Sequence, residues 1–246
     1  MNFDRTKILL GMKKRYGSLP RKFLREIFPG IEKIDVHLLG PFHGLLGMGL
    51  FPIETLLISS IVKFTEPKNV LEIGTYNGNT ALNIAANTPE DTVIQTVDLP
   101  PDWDGKLSYE VPEKYRNMFF SPKEVDMYDS SGHQPDRGNI KNKAAGMRFT
   151  DTIFSSKIEQ IYGDSAKLDW ENLKRPFDFI FIDGCHFYDY VKKDTSNAIA
   201  NVKSGGIILW HDYGSIEDVT NVITEMSNKI NAIAIRNTRF AIAIID

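Results

Sequence analysis

The chain has 246 residues, of which 42% are hydrophobic and 25% are charged, and its formal net charge is -3. This length and apolar content suit one α/β domain with a sizeable core. A weakly acidic chain is not typical of a nucleic-acid-binding protein. Its single cysteine, Cys185, excludes an intrachain disulfide framework and favours a reducing, cytoplasmic location.

The first 50 residues differ in composition from the rest of the chain. Residues 1–30 contain eight Lys or Arg against two Asp or Glu, whereas the remainder is acidic. We expect a basic helical arm that packs on its own domain, with phosphate, a membrane surface or an acidic neighbouring subunit as alternative contacts. Residues 36–53 lack charged side chains, but their four glycines and two prolines argue against a transmembrane helix. We interpret them as an apolar gate or packing segment.

From residue 51 to 246, strand-like apolar runs alternate with helical patterns. The alternation predicts a parallel sheet with helices on both faces. Two short β-rich runs at the end of the chain, separated by Asn237-Thr238, predict an antiparallel hairpin at the sheet edge. Strands are predicted at 69–74, 92–97, 157–162, 177–182, 207–210, 230–236 and 240–245, and helices at 51–66, 78–88, 188–202 and 215–228.

Residues 99–156 interrupt this alternation. The stretch is polar and rich in turn-forming residues, and a segment of this length inside a compact domain is usually functional or disordered. We expect a lid or acceptor-recognition element that is partly helical around 110–120. A disordered surface loop is the alternative interpretation.

A ligand-binding turn is predicted at residues 68–80. The strand ending at Ile73 runs into Gly74-Thr75-Tyr76-Asn77-Gly78, and a helix follows at once. Glycine lets the backbone approach a ligand closely, and the helix start offers free N–H groups. The turn lacks the middle glycine of a dinucleotide motif, and Tyr76 would crowd a phosphate. Asp98, at the end of the next strand, suits ribose hydroxyls because a carboxylate only accepts hydrogen bonds.

Two segments carry a family resemblance. Residues 71–80, Leu-Glu-Ile-Gly-Thr-Tyr-Asn-Gly-Asn-Thr, resemble the first motif of class I S-adenosylmethionine (SAM) dependent methyltransferases. Residues 182–188 and 205–213, with the motifs Asp-Gly-Cys-His and Gly-Gly-Ile-Ile-Leu-Trp-His-Asp, resemble methyltransferase family 24, in the O-methyltransferase branch of the catechol and caffeoyl-CoA enzymes. The resemblance covers about 52–246 except the insert, and it implies the Rossmann-like methyltransferase fold.

The resemblance also implies roles for particular residues. The glycine turn would surround the methionine part of SAM, Asp98 would hold the ribose, and Asp164-Ser165 would lie at the adenine edge. Asp183 would face the amino group of SAM, a metal, or both. The cofactor-binding residues predicted in this way are Glu72, Gly74, Thr75, Tyr76, Gly78, Thr80, Asp98, Asp164, Ser165 and Asp183. Loop bracing for Glu72 and helix capping for Asp164 are the structural alternatives.

Two mechanisms are open at the ends of the strands near 182 and 210. Side chains that follow neighbouring strands converge, because adjacent strands lie ~5 Å apart. Asp183 and Asp212 could bind Mg²⁺ or another divalent cation, with His211 as a further ligand. The resemblance to metal-dependent O-methyltransferases implies a third ligand, Asn or Asp, directly after the second carboxylate, but Tyr213 stands at that position. Alternatively, His186 or His211 acts as general base, because the reference pKa of histidine is near ~6.5. The predicted catalytic residues are His186, Asp183 and Asp212.

The sequence therefore predicts a SAM-dependent O-methyltransferase that acts on a small molecule or a sugar-containing metabolite, without nucleic acid and without a transmembrane segment. The sequence leaves open whether the protein forms a homo-oligomer. Two alternatives remain: an enzyme of the same fold with other, hydroxylase-like chemistry, and a non-catalytic partner subunit. A dehydrogenase is disfavoured by the missing glycine.

Overall fold

The structure, a computed structural model, describes residues 4–40, 49–103, 106–114 and 145–246, and Asn228 only by its backbone. Residues 41–48 of the predicted gate segment and the middle of the predicted insert, 115–144, lie outside the described residues. Most of the helix predicted around 110–120 falls in the second of these ranges.

The apolar runs form one seven-stranded sheet. Its order is β3-β2-β1-β4-β5-β7-β6, in which β1 to β5 pair in parallel and β7 is antiparallel to both neighbours. The predicted mostly parallel sheet with an antiparallel C-terminal hairpin is therefore confirmed. The strands are β1 Asn69–Ile73, β2 Val93–Asp98, β3 Ile158–Tyr162, β4 Phe177–Ile182, β5 Val202–Trp210, β6 Ile233–Ala234 and β7 Ala241–Ile244.

Helices cover both faces of this sheet. They are α1 Arg5–Tyr16, α2 Leu24–Ile27, α3 Pro52–Thr65, α4 Asn79–Ala86, α5 Tyr188–Asn201 and α6 Glu217–Ile230. Side chains along a strand alternate between faces, so Phe179 and Phe181 pack with α1 to α4, whereas Ile180 and Ile182 pack with α5 and α6. None of the described helices combines the length and apolar character needed to cross a bilayer.

One boundary differs from the sequence prediction. Gly205-Gly206 was expected to end a helix before a strand at 207, but β5 begins at Val202 and includes both glycines. The pairing with β4 shifts between Phe177 and Phe179, which marks an irregularity where Gly205 takes a positive φ of 77°. Hydrogen bonds with Ile245 extend the pairing through this point, so the glycines bend a strand instead of ending a helix.

The basic arm packs on the same domain. Leu9, Leu19, Ile27 and Phe28 are completely buried in the core beneath α3 and α4. Leu19 also forms a parallel bridge with Ile235, directly after β6. This agrees with the expectation of an arm that lies on its own domain, and it places the chain after Leu19 at the carboxyl edge of the sheet.

Candidate active site

The turn after β1 is held close to the end of β4. Gly74 has a φ of 100°, and a Cβ atom there would lie 2.0 Å from the carbonyl oxygen of Asp183. Only glycine fits such a contact. The N–H of Asp183 in turn donates to the carbonyl of Ile73 at 2.8 Å. The glycine of the motif therefore brings the loop against Asp183.

Asp98 connects the end of β2 to the same loop. Its carboxylate accepts a hydrogen bond from the N–H of Tyr76 at 2.7 Å and another from the N–H of Leu99 at 2.7 Å. Tyr76 has a φ of 49°, an uncommon conformation for a bulky residue. The predicted ribose-binding acid thus also stabilises the shape of the glycine loop.

Glu72 is a completely buried carboxyl group with hydroxyl neighbours. Thr96 Oγ1 donates to Glu72 Oε2 at 2.5 Å, and the hydroxyl of Thr75 lies 2.7 Å from that of Thr96. Gln160 Nε2 donates to Thr75 Oγ1 at 3.0 Å. Glu72 Oε1 is buried and has no hydrogen-bond partner among the described residues. Burial, and then the nearby charges of Asp183 and Asp98, raise the pKa of Glu72 to about 8.

The returning limb of the insert covers the second glycine of the loop. The N–H groups of Gly146 and Arg148 donate to the carbonyls of Tyr76 and Asn77, each at 3.0 Å. A Cβ atom at Gly78 would lie 2.6 Å from the ring of Phe149. This contact was not predicted from the sequence, because nothing in residues 145–150 signals it. Thr80 lies half-buried in the first turn of α4.

Asp164 and Ser165 follow β3 and are engaged within the chain. The carboxylate of Asp164 accepts hydrogen bonds from Ala166 N, from Tyr190 Oη at 2.8 Å and from both the N–H and the hydroxyl of Ser108. Ser165 Oγ donates to Asp194 at 3.1 Å. The predicted adenine edge is thus tied to the first limb of the insert.

The predicted catalytic residues meet where β4 and β5 end. His186 Nε2 lies 3.1 Å from Asp212 Oδ2 and 3.8 Å from Asp183 Oδ1. Ligand atoms from Asp183, His186 and Asp212 lie within 4.8 Å of one another. Asp212 has a φ of 57°, an uncommon backbone conformation that is often found at functional sites.

His211 lies beneath this cluster. Its Nδ1 is 2.9 Å from Asp183 Oδ1, and its Nε2 is 3.3 Å from Glu54 Oε2. Burial lowers the pKa of His211, but the carboxylates of Asp183, Asp212 and Glu54 outweigh burial and raise it well above the ordinary value. Both ring nitrogens therefore have carboxylate partners. We interpret His211 as a positively charged residue that supports the site from below.

Glu54 and Arg239 belong to the same cluster and were not predicted from the sequence. Glu54, completely buried at the start of α3, accepts hydrogen bonds from the Arg239 backbone N–H at 2.7 Å and from Arg239 Nη2 at 2.8 Å. Arg239 Nη1 also lies 3.3 Å from Asp212 Oδ1. Burial raises the pKa of Glu54, yet hydrogen bonds from His211 and Arg239 outweigh burial and lower it to about 2.

The comparisons with known proteins agree with this geometry. A family model described as "Methyltransferase domain", methyltransferase family 24, matches residues 71–213, which is more than half of the chain. The chain belongs to this methyltransferase family. The match spans the glycine loop, Asp98, Asp183, His186 and Asp212. The family resemblance drawn from the sequence is thereby confirmed.

Solved structures share the fold of this methyltransferase at low sequence identity. An O-methyltransferase from Bacillus cereus in complex with S-adenosylhomocysteine (SAH) is 16% identical, with a TM-score of 0.50 and 100% of both chains covered. The O-methyltransferase TomG from Streptomyces achromogenes, in complex with SAM, is 13% identical, with a TM-score of 0.50 and coverage of 100% of this chain and 99% of that one. No curated protein matches at a significant level.

Proposed function

We propose that this methyltransferase transfers the methyl group of SAM to a hydroxyl oxygen of a small molecule or a sugar-containing metabolite. Family membership and the fold support methyl transfer. One observation carries the choice of SAM: Glu72 is buried beside Asp183 and Asp98 with an acceptor atom that has no partner among the described residues. A cation bound beside Glu72 would favour its ionised form and displace its proton.

SAM has the matching chemistry, because it carries an ammonium and a sulfonium group and no phosphate. The residues that would hold it are Glu72, the loop 74–78, Thr80 and Asp98. The carboxylate of Asp164 already accepts four hydrogen bonds, about as many as a carboxylate can. For Asp164 and Ser165 we therefore propose a supporting role at the adenine edge.

His186 is the residue that we propose as general base. When SAM is bound, it supplies the reactive methyl group, and the protein supplies position and proton transfer. His186 would take the proton of the acceptor hydroxyl as the new bond forms to oxygen. The carboxylate of Asp212, 3.1 Å from Nε2, would stabilise the resulting imidazolium, and Asp183 adds a second negative charge nearby.

A metal-assisted reaction is the second candidate, and the cluster of Asp183, His186 and Asp212 favours it. The ligand set differs from the sequence expectation, since His186 takes the place considered for His211. Tyr213, directly after Asp212, has its hydroxyl 3.4 Å from Thr224 on α6. A set of two carboxylates and one imidazole suits Mn²⁺ or Zn²⁺ better than Mg²⁺.

Methyl-group tracing tests the proposal. The purified protein is incubated with methyl-labelled SAM and a panel of catechols and glycosides, and calorimetry measures SAM binding to the protein and to Asp98→Ala. We expect a methylated product and SAM binding that weakens at least tenfold in the variant. Oxygen insertion without label would indicate hydroxylase-like chemistry, and no SAM binding at all would indicate a partner subunit. Loss of turnover with EDTA would select the metal mechanism.

A further inference from the structure

The N-terminal arm carries exposed cations on a compact surface. Lys14, Arg15, Arg21, Lys22 and Arg25 are all exposed, and we call them the basic patch. None of the five has an ion-pair partner among the described residues. The chain from residue 5 to 25 contains no Asp or Glu, although the protein as a whole is acidic. Exposed Glu26, next to Arg25, is the one acidic residue in 5–30, so the patch has a net positive charge.

Aromatic contacts hold the two halves of the patch together. The rings of Tyr16 and Phe23 stack with centroids 5.3 Å apart and planes inclined by 20°. Arg15 lies 5.2 Å from the Tyr16 centroid, and Lys22 Nζ lies 5.0 Å from the Phe23 centroid. Because the rings touch, cations from the end of α1 and from the turn before α2 converge on one place.

The second half of the patch follows Leu19, which pairs beside the end of β6. Leu19 N donates to Ala234 O at 2.7 Å, and Arg236 N donates to Leu19 O at 2.9 Å. β6 runs parallel to β5, because both are antiparallel to β7. The residues after Leu19 therefore leave in the direction in which β5 reaches Asp212. Arg236 adds a further cation here, since its guanidinium donates to Ser18 Oγ at 3.2 Å.

We propose that the basic patch docks the protein on an anionic membrane surface. An anionic membrane presents a flat negative surface, which can bind a basic patch that is confined to one part of an otherwise acidic protein. A nucleic acid would need a basic stripe along which its backbone could run, and the acidic remainder of the surface opposes such a stripe. Each Lys or Arg near an anionic leaflet strengthens binding about fivefold, and the effect falls with salt.

Vesicle sedimentation of the full chain tests this docking. The probes are vesicles of phosphatidylcholine alone and vesicles that also contain phosphatidylglycerol. We expect binding only to the anionic vesicles, with release as salt is raised. Lys22→Glu/Arg25→Glu should weaken binding by roughly a hundredfold or more, because two favourable contacts become repulsive. The matched control, Lys174→Glu/Lys192→Glu, changes the charge equally on exposed residues outside the arm and should bind as the unmodified protein does.

Three outcomes would overturn the docking proposal. The first is no binding to anionic vesicles at low salt. The second is an equal loss of binding in the patch variant and its control, which would indicate a net-charge effect. The third is binding to a DNA or RNA duplex but not to vesicles. Thermal melts of both variants exclude unfolding as the cause, and the result does not depend on SAM or on turnover, so it stands apart from the proposed reaction.

Discussion

Glu54 and Glu72 are both completely buried beside the candidate active site, yet their pKa values shift in opposite directions. Glu54 contacts the charged groups of Arg239 and His211, and its pKa falls to about 2. Within the described part of the chain, the hydrogen-bond partner of the Glu72 carboxyl is the hydroxyl of Thr96, and the pKa of Glu72 rises to about 8. Burial favours the neutral acid in both places, so the partner decides the charge.

This difference separates two functions within one edge of the sheet. At the β4–β5 end, the positive charges of His211 and Arg239 already pair with the carboxylates. At the β1–β2 end no cation of the described residues contacts Glu72, so a positively charged ligand there would favour its ionised form. We infer that the first end is prepared for proton or metal chemistry, and that the second is prepared for SAM.

The largest expected effect is on turnover at the β4–β5 end. His186→Ala should lower kcat by roughly a hundred- to ten-thousand-fold, because general-base catalysis contributes about that much. SAM affinity should stay within about twofold, since His186 is not among the predicted SAM-binding residues. Steady-state kinetics with labelled SAM and calorimetry measure the two quantities. The control is His37→Ala, an exposed histidine whose recorded hydrogen bonds come from its backbone. Full activity of His186→Ala would remove the base assignment.

The next effect is on stability. Glu54→Gln should lower the free energy of unfolding by about 3–5 kcal/mol, because it removes a buried carboxylate that pairs with both Arg239 and His211. Urea unfolding at neutral pH measures it. The matched control, Glu90→Gln on the surface, should change stability by no more than about 0.5 kcal/mol. A loss as small as the control's would show that Glu54 is not the centre of the ion-pair cluster.

A pH-dependent effect distinguishes Glu72 from Glu54. The folded protein keeps the proton of Glu72 up to about pH 8, whereas the unfolded chain loses it near the ordinary value of 4.5. The stabilisation by protonated Glu72 is thus fully present below pH 4.5 and is lost as pH rises toward 8, by about 1.4 kcal/mol per pH unit. Glu72→Gln should remove this slope. Parallel stability curves for the two proteins, from urea unfolding without SAM, would contradict the assignment.

The smallest expected effect concerns the hydroxyl that contacts Glu72. Thr96→Val should cost about 1–3 kcal/mol, because it removes the donor to a buried acceptor while it keeps the shape of the side chain. Thr96→Ser retains the hydroxyl and should lose less. Thermal unfolding of both variants, compared at one pH, measures the difference. Equal losses would mean that packing, and not the hydrogen bond, holds Thr96.

The sequence pattern predicted the sheet and those site residues that directly follow its strands. Parallel strands end at one edge, so acids that follow β4 and β5 had to come close, and the structure brings Asp183, His186 and Asp212 together. Glu54 gave no such signal, because a glutamate three residues after Phe51 is typical of a helix start. Arg239 follows a hairpin turn, where a solvated cation is ordinary. The pair Gly205-Gly206 is equally compatible with the end of a helix and with an irregularity in a strand.

The sequence by itself determined the succession of strands and helices along the chain, the glycine loop and the acids at the strand ends. These features depend on periodicity and on neighbours along the chain. Tertiary structure decided which of those acids are charged. Glu54 and His211 are 157 positions apart and meet only after the sheet has formed. Since a pKa depends on charges within a few ångströms, no local pattern could have assigned about 2 to Glu54 and about 8 to Glu72.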